Sequence, residues 1–141
     1  MGLRILRAYH FFDQELVRGL ADFDVSPGEF GFLFNLRLAG PPYKMTPTQL
    51  HNRLLVTSGG MTGRIDRLQA RGLVCRLPDL EDRRSILVEL TESGLAHFED
   101  VAQTHLRIME HLTAGLTLAE RDCLAGLLRK LLFDIESSHE Q

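Results

Sequence analysis

The strongest constraint on how this chain can fold is a change of period at Gly72. Before it, Met61, Ile65 and Leu68 recur at intervals of four and three, which places them on one face of a helix. After it, Leu73–Leu77 and Ser85–Leu90 are short apolar-rich runs flanking the polar stretch from Pro78 to Arg84, the pattern of a β-hairpin. Gly72 itself supplies the helix stop. Upstream, Thr46-Pro47-Thr48-Gln49 combines a capping hydroxyl, a first-turn proline and a capping-box amide, so a short helix is expected to about Leu55. Val56-Thr57-Ser58 separates the two helices. Two short helices joined by a tight turn and followed by a hairpin make a helix-turn-helix candidate.

Helices flank this unit on both sides. Leu3 to Ala21 carries an amphipathic spacing, and Ser26-Pro27-Gly28-Glu29 opens a second helix running to about Leu38, where Gly40-Pro41-Pro42 ends it. Thr91-Glu92-Ser93-Gly94 opens a long helix with Leu95, Phe98, Val101, His105 and Leu112 in register, and Thr117 to Ile135 predicts one more. The expected fold is mainly α with a small β-wing (α+β). With 141 residues it is a single domain.

Several function classes drop out. No apolar run approaches the ~18 residues of a membrane span, and Asp13 and Glu15 fall where a signal peptide needs its apolar core, so a cytoplasmic protein is expected. Cys75 and Cys123 form no C-x-x-C pair, and the histidines at 97, 105 and 111 lack the i, i+4 spacing of helical metal ligands. No metal site or cofactor is expected. The sequence contains no H-E-x-x-H, G-x-S-x-G, Walker lysine or Rossmann glycine triplet, which argues against an enzyme.

The formal net charge of −3 is unevenly spread. Arg53, Arg64, Arg67, Arg71 and Arg76 face only Asp66 between positions 53 and 76, a modest basic stripe, whereas acidic residues gather after position 94.

Helix, turn, helix and wing in this order resemble the winged helix-turn-helix of the MarR family (multiple antibiotic resistance regulators). The family pattern D-x-R-x-x-x-V-x-L-T-x-x-G is met without a gap by Asp82, Arg84, Val88, Leu90, Thr91 and Gly94. Gln49-Leu50, Ser58-Gly59-Gly60-Met61-Thr62, Asp66-Arg67-Leu68 and Arg71-Gly72-Leu73-Val74 follow the same family's paired helices. The resemblance implies a homodimer that binds double-stranded DNA. Its winged lobe would be residues 46–94, and residues 1–40 and 95–141 would form a helical dimerisation lobe within one domain, 1–141.

A recognition helix needs small or polar residues in its first turn, because bulk there would hold the backbone away from the major groove. Ser58, Gly59, Gly60 and Thr62 fit; the lesser alternative is a flexible Gly-Gly turn. Arg64 lies off the Met61-Ile65-Leu68 face and can offer its guanidinium to guanine or to phosphate. Family members often carry a second basic residue where Gly63 stands here. Gln49 can bond a phosphate from the first helix, beside a capping role for Thr46. Arg83 and Arg84 at the wing tip suit a narrow A·T-rich minor groove, and the resemblance implies that Asp82 holds the wing arginine. For Asp66 and Arg67 a structural ion pair is the simpler reading.

Six of the eight phenylalanines fall within the first 34 residues. Core and dimer interface explain this; the alternative, which the family resemblance implies, is a cavity for a small aromatic or amphipathic effector, lined by Phe11 and Phe34 with His10, Arg37 and His105 as polar handles. Three functions stay open: a ligand-responsive repressor reading a pseudo-palindromic operator, a winged-helix module for protein contact with weak or no DNA binding, and a regulator sensing through Cys75 or Cys123.

Overall fold

The computed structural model describes residues 1–54 and 57–139; the side chains of Ser58 and His139 lie outside that description. Residues Met1–Leu106 form one compact unit, and a second begins at Arg107. No helix among the described residues is long and apolar enough to cross a membrane.

In the first unit, α1 (Gly2–Leu20) runs into a 3-10 turn at Ala21–Phe23 and then α2 (Pro27–Leu38). The start of α2 is a complete capping box: Glu29 N donates to Ser26 Oγ at 3.1 Å, and Ser26 N donates to Glu29 Oε2 at 3.0 Å. Thr46 and Gln49 form the same reciprocal pair at the start of α3 (Pro47–Leu54). The expected end of that helix, Leu55, and the Val56 of the turn lie outside the described residues. In α4 (Ser58–Ala70) the cap is Thr57, whose Oγ1 accepts from Gly60 N at 3.1 Å. Gly72 follows with φ of 70°, the left-handed conformation that stops α4 and turns the chain into the sheet.

The hairpin forms as expected, with β2 (Val74–Pro78) antiparallel to β3 (Ile86–Leu90). A third strand, β1 (Lys44–Met45), pairs with the other edge of β3, giving the order β1-β3-β2. Two residues after a proline-glycine turn show no alternation, so the sequence carried no strand signal there. Met45 nevertheless joins a core with Leu20, Phe32, Leu33, Leu36, Leu50, Met61, Ile65, Leu68, Val88 and Val101, all buried.

Helix α5 (Glu92–Leu112) begins against Leu73, the residue before β2. The Thr91 hydroxyl donates to Gly72 O at 2.6 Å and accepts from Gly94 N at 2.9 Å, while Thr91 N donates to Leu73 O at 3.1 Å. This joint explains the T-x-x-G end of the motif: the threonine caps the helix and ties it to the end of α4. In the second unit, α6 (Leu118–His139) starts at a capping box between Thr117 and Glu120.

Candidate nucleic-acid interface

The first turn of α4 is open. Gly59, Gly60 and Thr62 are exposed, and with the Thr57 cap taking Gly60 N the turn presents little side-chain bulk. The Ser58 side chain lies outside the described residues. A helix N-terminus of this kind favours phosphate through its free amides and partial positive charge. Gln49 is exposed on α3, and the capping box engages its Oε1, which accepts from Thr46 N at 2.9 Å, rather than the amide NH2 that would donate to a phosphate.

At the wing tip, Arg83 and Arg84 are exposed, and no ion pair holds either guanidinium among the described residues. Asp82 shapes the turn: its Oδ1 accepts from Arg84 N at 3.0 Å, and its carbonyl accepts from Ser85 N at 2.9 Å. It therefore orients the backbone that carries Arg84 rather than gripping the guanidinium. Asp79 reinforces the turn by accepting from Glu81 N at 3.0 Å.

The rest of the basic stripe is tied to the protein. Arg67 Nε donates to Glu29 Oε1 at 3.1 Å, joining α4 to the start of α2. Arg71 donates to the carbonyls of Asp24 and Phe23, and Arg76 reaches from β2 to Asp66 and Gln69 on α4. The ion pair expected between Asp66 and Arg67 is thus not formed. Neighbours in a helix point about 100° apart, so each finds its partner on another element. Arg64 is turned back as well: a β-carbon on Gly28 would stand 2.6 Å from its Nη2, and its Nε is buried without an acceptor among the described residues. Burial lowers its pKa, with Glu29 opposing and Arg67 adding to the shift, yet an arginine keeps its charge.

Glu29 is only 8% exposed. Burial works to raise its pKa, but the Ser26 amide, then Arg67 and the Ser26 hydroxyl, outweigh it and bring the carboxyl below the ordinary value. The sequence showed its capping role; nothing in its spacing from Arg67, 38 positions away, showed the ion pair.

Of the five residues proposed for an effector cavity, Phe34 and His105 meet. They line a cavity of about 250 Å³ with Leu16, Pro27, Phe30 and Gly31. His105 stacks on Phe30 with ring centroids 4.6 Å apart, and burial lowers its pKa. The other three lie elsewhere. His10 and Phe11 pack on each other along exposed α1, and Arg37 is taken by Glu99 at 3.3 Å and by the Tyr43 ring. Phe30, missed as a cavity residue, sits one turn before Phe34 on the same helix face, which is the signal that identifies it.

Cys75 is half-buried on β2, where burial and then Glu89 raise its pKa, the opposite of what a reactive thiolate needs. Among the described residues, no cluster of His, Cys, Asp or Glu could hold a metal ion.

A family model described as the MarR family matches residues 23–85. The multiple antibiotic resistance protein MarR of Salmonella typhimurium is 36% identical over 124 residues, covering 85% of this chain and 82% of that protein. The chain belongs to the MarR family. Among solved structures, a MarR mutant from E. coli complexed with operator DNA matches with a TM-score of 0.82 at 34% identity, covering 93% of this chain and 92% of that one. BpsR of Bordetella bronchiseptica, described with the regulation of its DNA binding by 6-hydroxynicotinic acid, matches with a TM-score of 0.83 at 29% identity over 93% and 91%. This MarR-family chain is a winged-helix transcriptional regulator. In MarR-family terms α3 and α4 are its helix-turn-helix, and β2 and β3 form the wing.

Proposed function

We propose that this chain is a non-enzymatic, cytoplasmic, ligand-responsive repressor that binds a pseudo-palindromic operator as a homodimer. The observation that carries the DNA contact is the wing: Arg83 and Arg84 are exposed, with no ion pair among the described residues, on a turn fixed by Asp82, while Arg67, Arg71 and Arg76 are engaged within the fold. Wing arginines suit the minor groove, and Gly59, Gly60 and Thr62 let the first turn of α4 approach the major groove. Residues 46–94 act as the DNA-reading lobe, and residues 1–40 and 95–141 as the dimerisation lobe. Exposed apolar side chains support that division, with Leu3, Leu6, Tyr9 and Val17 on α1 and Leu127, Leu132 and Phe133 on α6. Operator binding by the MarR relative and the response of BpsR to a small aromatic acid support the same reading.

The cavity beside Phe34 and His105 is the site proposed for an aromatic or amphipathic effector. Its mostly apolar lining with one imidazole gives such a ligand a hydrophobic wall and a single polar partner.

The test is selection of bound sequences from random duplex DNA at two salt concentrations. Enrichment of a two-fold symmetric site, with half-sites about one helical turn apart, is expected. No enrichment at either salt would overturn the operator reading and favour a protein-contact module.

A further inference from the structure

Arg64 occupies an unusual place. It flanks the buried face of α4, three positions before Arg67, and its guanidinium lies on the first turn of α2. Glu29 accepts from Arg67 through Oε1 and from Ser26 N through Oε2, and among the described residues it makes no hydrogen bond or ion pair with Arg64 beside it. Its Nε is buried with no acceptor among the described residues. That position exists only because residue 28 is glycine: a β-carbon would come within 2.6 Å of Nη2 and 3.1 Å of Cζ. Gly28 has no left-handed φ to explain it, and within a helix glycine is less favourable than alanine.

Resting on the DNA-binding reading above, we propose that Arg64 is a stored arginine: it lies on Gly28 in the free protein and transfers to a DNA phosphate when the operator binds, with Gly28 and Glu29 as positioning residues. In the free state Arg64 is held by packing on Gly28 and by attraction to Glu29, which direct charge-assisted bonds to a phosphate replace and exceed. Phosphate is favoured over a base because Arg64 stands at the flank of α4 rather than on its solvent-facing front, so its reach is toward the strand bordering the groove. Arg67 stays on Glu29 throughout and fixes α4 to α2 while Arg64 moves.

The storage site also links DNA to the cavity. Pro27, on one side of Gly28, and Phe30, beyond Glu29, both line the cavity that holds His105. A ligand that displaces this turn alters the storage site of Arg64, so effector and DNA affinity are coupled through one turn of α2.

The experiment uses the full chain and the operator duplex obtained by selection, with binding measured across a salt series for wild type, Gly28→Ala, Arg64→Ala and the double variant. Arg64→Ala is expected to make the slope of log K against log salt shallower by about 0.9, the loss of one neutralised phosphate. Gly28→Ala evicts the flexible guanidinium and is expected to tighten binding by roughly three- to tenfold, the net worth of about one hydrogen bond, with the wild-type slope retained. In the Arg64→Ala background, Gly28→Ala is expected to change nothing. In the unaltered protein, the Arg64 Nε–H should exchange slowly by NMR when free and shift on adding operator.

An unchanged slope in Arg64→Ala overturns the transfer. So does a Gly28→Ala effect that is absent, or one that persists without Arg64, since the latter reflects helix propensity alone. Rapid Nε–H exchange in the free protein overturns the storage. Failure of wild type to bind any duplex overturns the operator reading and the transfer together, whereas binding that ignores Arg64 overturns the transfer alone.

Discussion

A β-carbon on Gly94 would lie 1.8 Å from the carbonyl oxygen of Leu73. The first turn of α5 therefore touches the backbone leading into β2, and Thr91 locks the approach through Gly72 O and Gly94 N. Because the obstructing atom belongs to the backbone, it cannot swing aside. Gly94→Ala is expected to cost about 3 kcal/mol or more, at the upper end for overpacking, by forcing α5 away from the sheet. Denaturant unfolding at neutral pH checks this. A loss within a few tenths of a kcal/mol would mean that the contact is soft.

Glu29 ties the start of α2 to α4, and its replacement by Gln should separate two contributions. The amide keeps an acceptor for Ser26 N but loses the charge that holds Arg67, so a cost of about 1–2 kcal/mol is expected at pH 7. The folded carboxyl titrates below its unfolded value near 4.3–4.5. Its stabilisation is therefore fully present above that value and is lost as pH falls through the folded pKa. Wild type and Glu29→Gln should diverge at neutral pH and converge in acid; a gap that stays constant down to pH 3 would show that the charge is not its source.

The sequence made the helices and the wing legible wherever local chemistry specifies them. Ser26, Thr46 and Thr91 cap with hydroxyls, Pro27 and Pro47 fill first turns, and Gly72 takes the left-handed conformation that ends α4. What it hid depended on partners distant along the chain. Lys44–Met45 is a strand only because Val88 and Glu89 lie beside it. The basic stripe read as five similar arginines, yet Arg67, Arg71 and Arg76 are placed by Glu29, Asp24 and Asp66, and Arg64 by the missing β-carbon of Gly28. The aromatic-rich first third likewise concealed which rings meet, because Phe30 finds its stacking partners, Phe98 and His105, on α5.

His105 and His97 are both pushed by burial below the ordinary histidine value, His97 with a further contribution from Arg71. A folded pKa under the unfolded value near 6.5 means that the folded state favours neutral imidazole. The stability this leaves is complete above about pH 6.5 and declines as pH falls toward the folded pKa, because the unfolded chain takes up the proton more readily. Melting temperature should therefore drop on moving from pH 7.5 to 5.5. His105→Leu should flatten that drop by a few degrees while leaving the part due to His97. An identical drop in the variant would place the titration elsewhere.

Arg84 stands on a turn whose geometry Asp82 sets, so the two should fail differently. Arg84→Ala removes one cation, and the salt slope of operator binding is expected to become shallower by about 0.9 with the largest affinity loss at A·T-rich flanks, where a narrow minor groove concentrates negative potential. Asp82→Ala keeps the cation but frees Arg84 N and loosens the turn. It should weaken binding by a smaller factor, roughly tenfold or less for one lost hydrogen bond, while the salt slope stays close to wild type. Fluorescence anisotropy with duplexes that differ only in their flanks distinguishes the two. Equal binding by Arg84→Ala and wild type at every flank and salt would remove the wing from the interface and leave α4 to carry recognition alone.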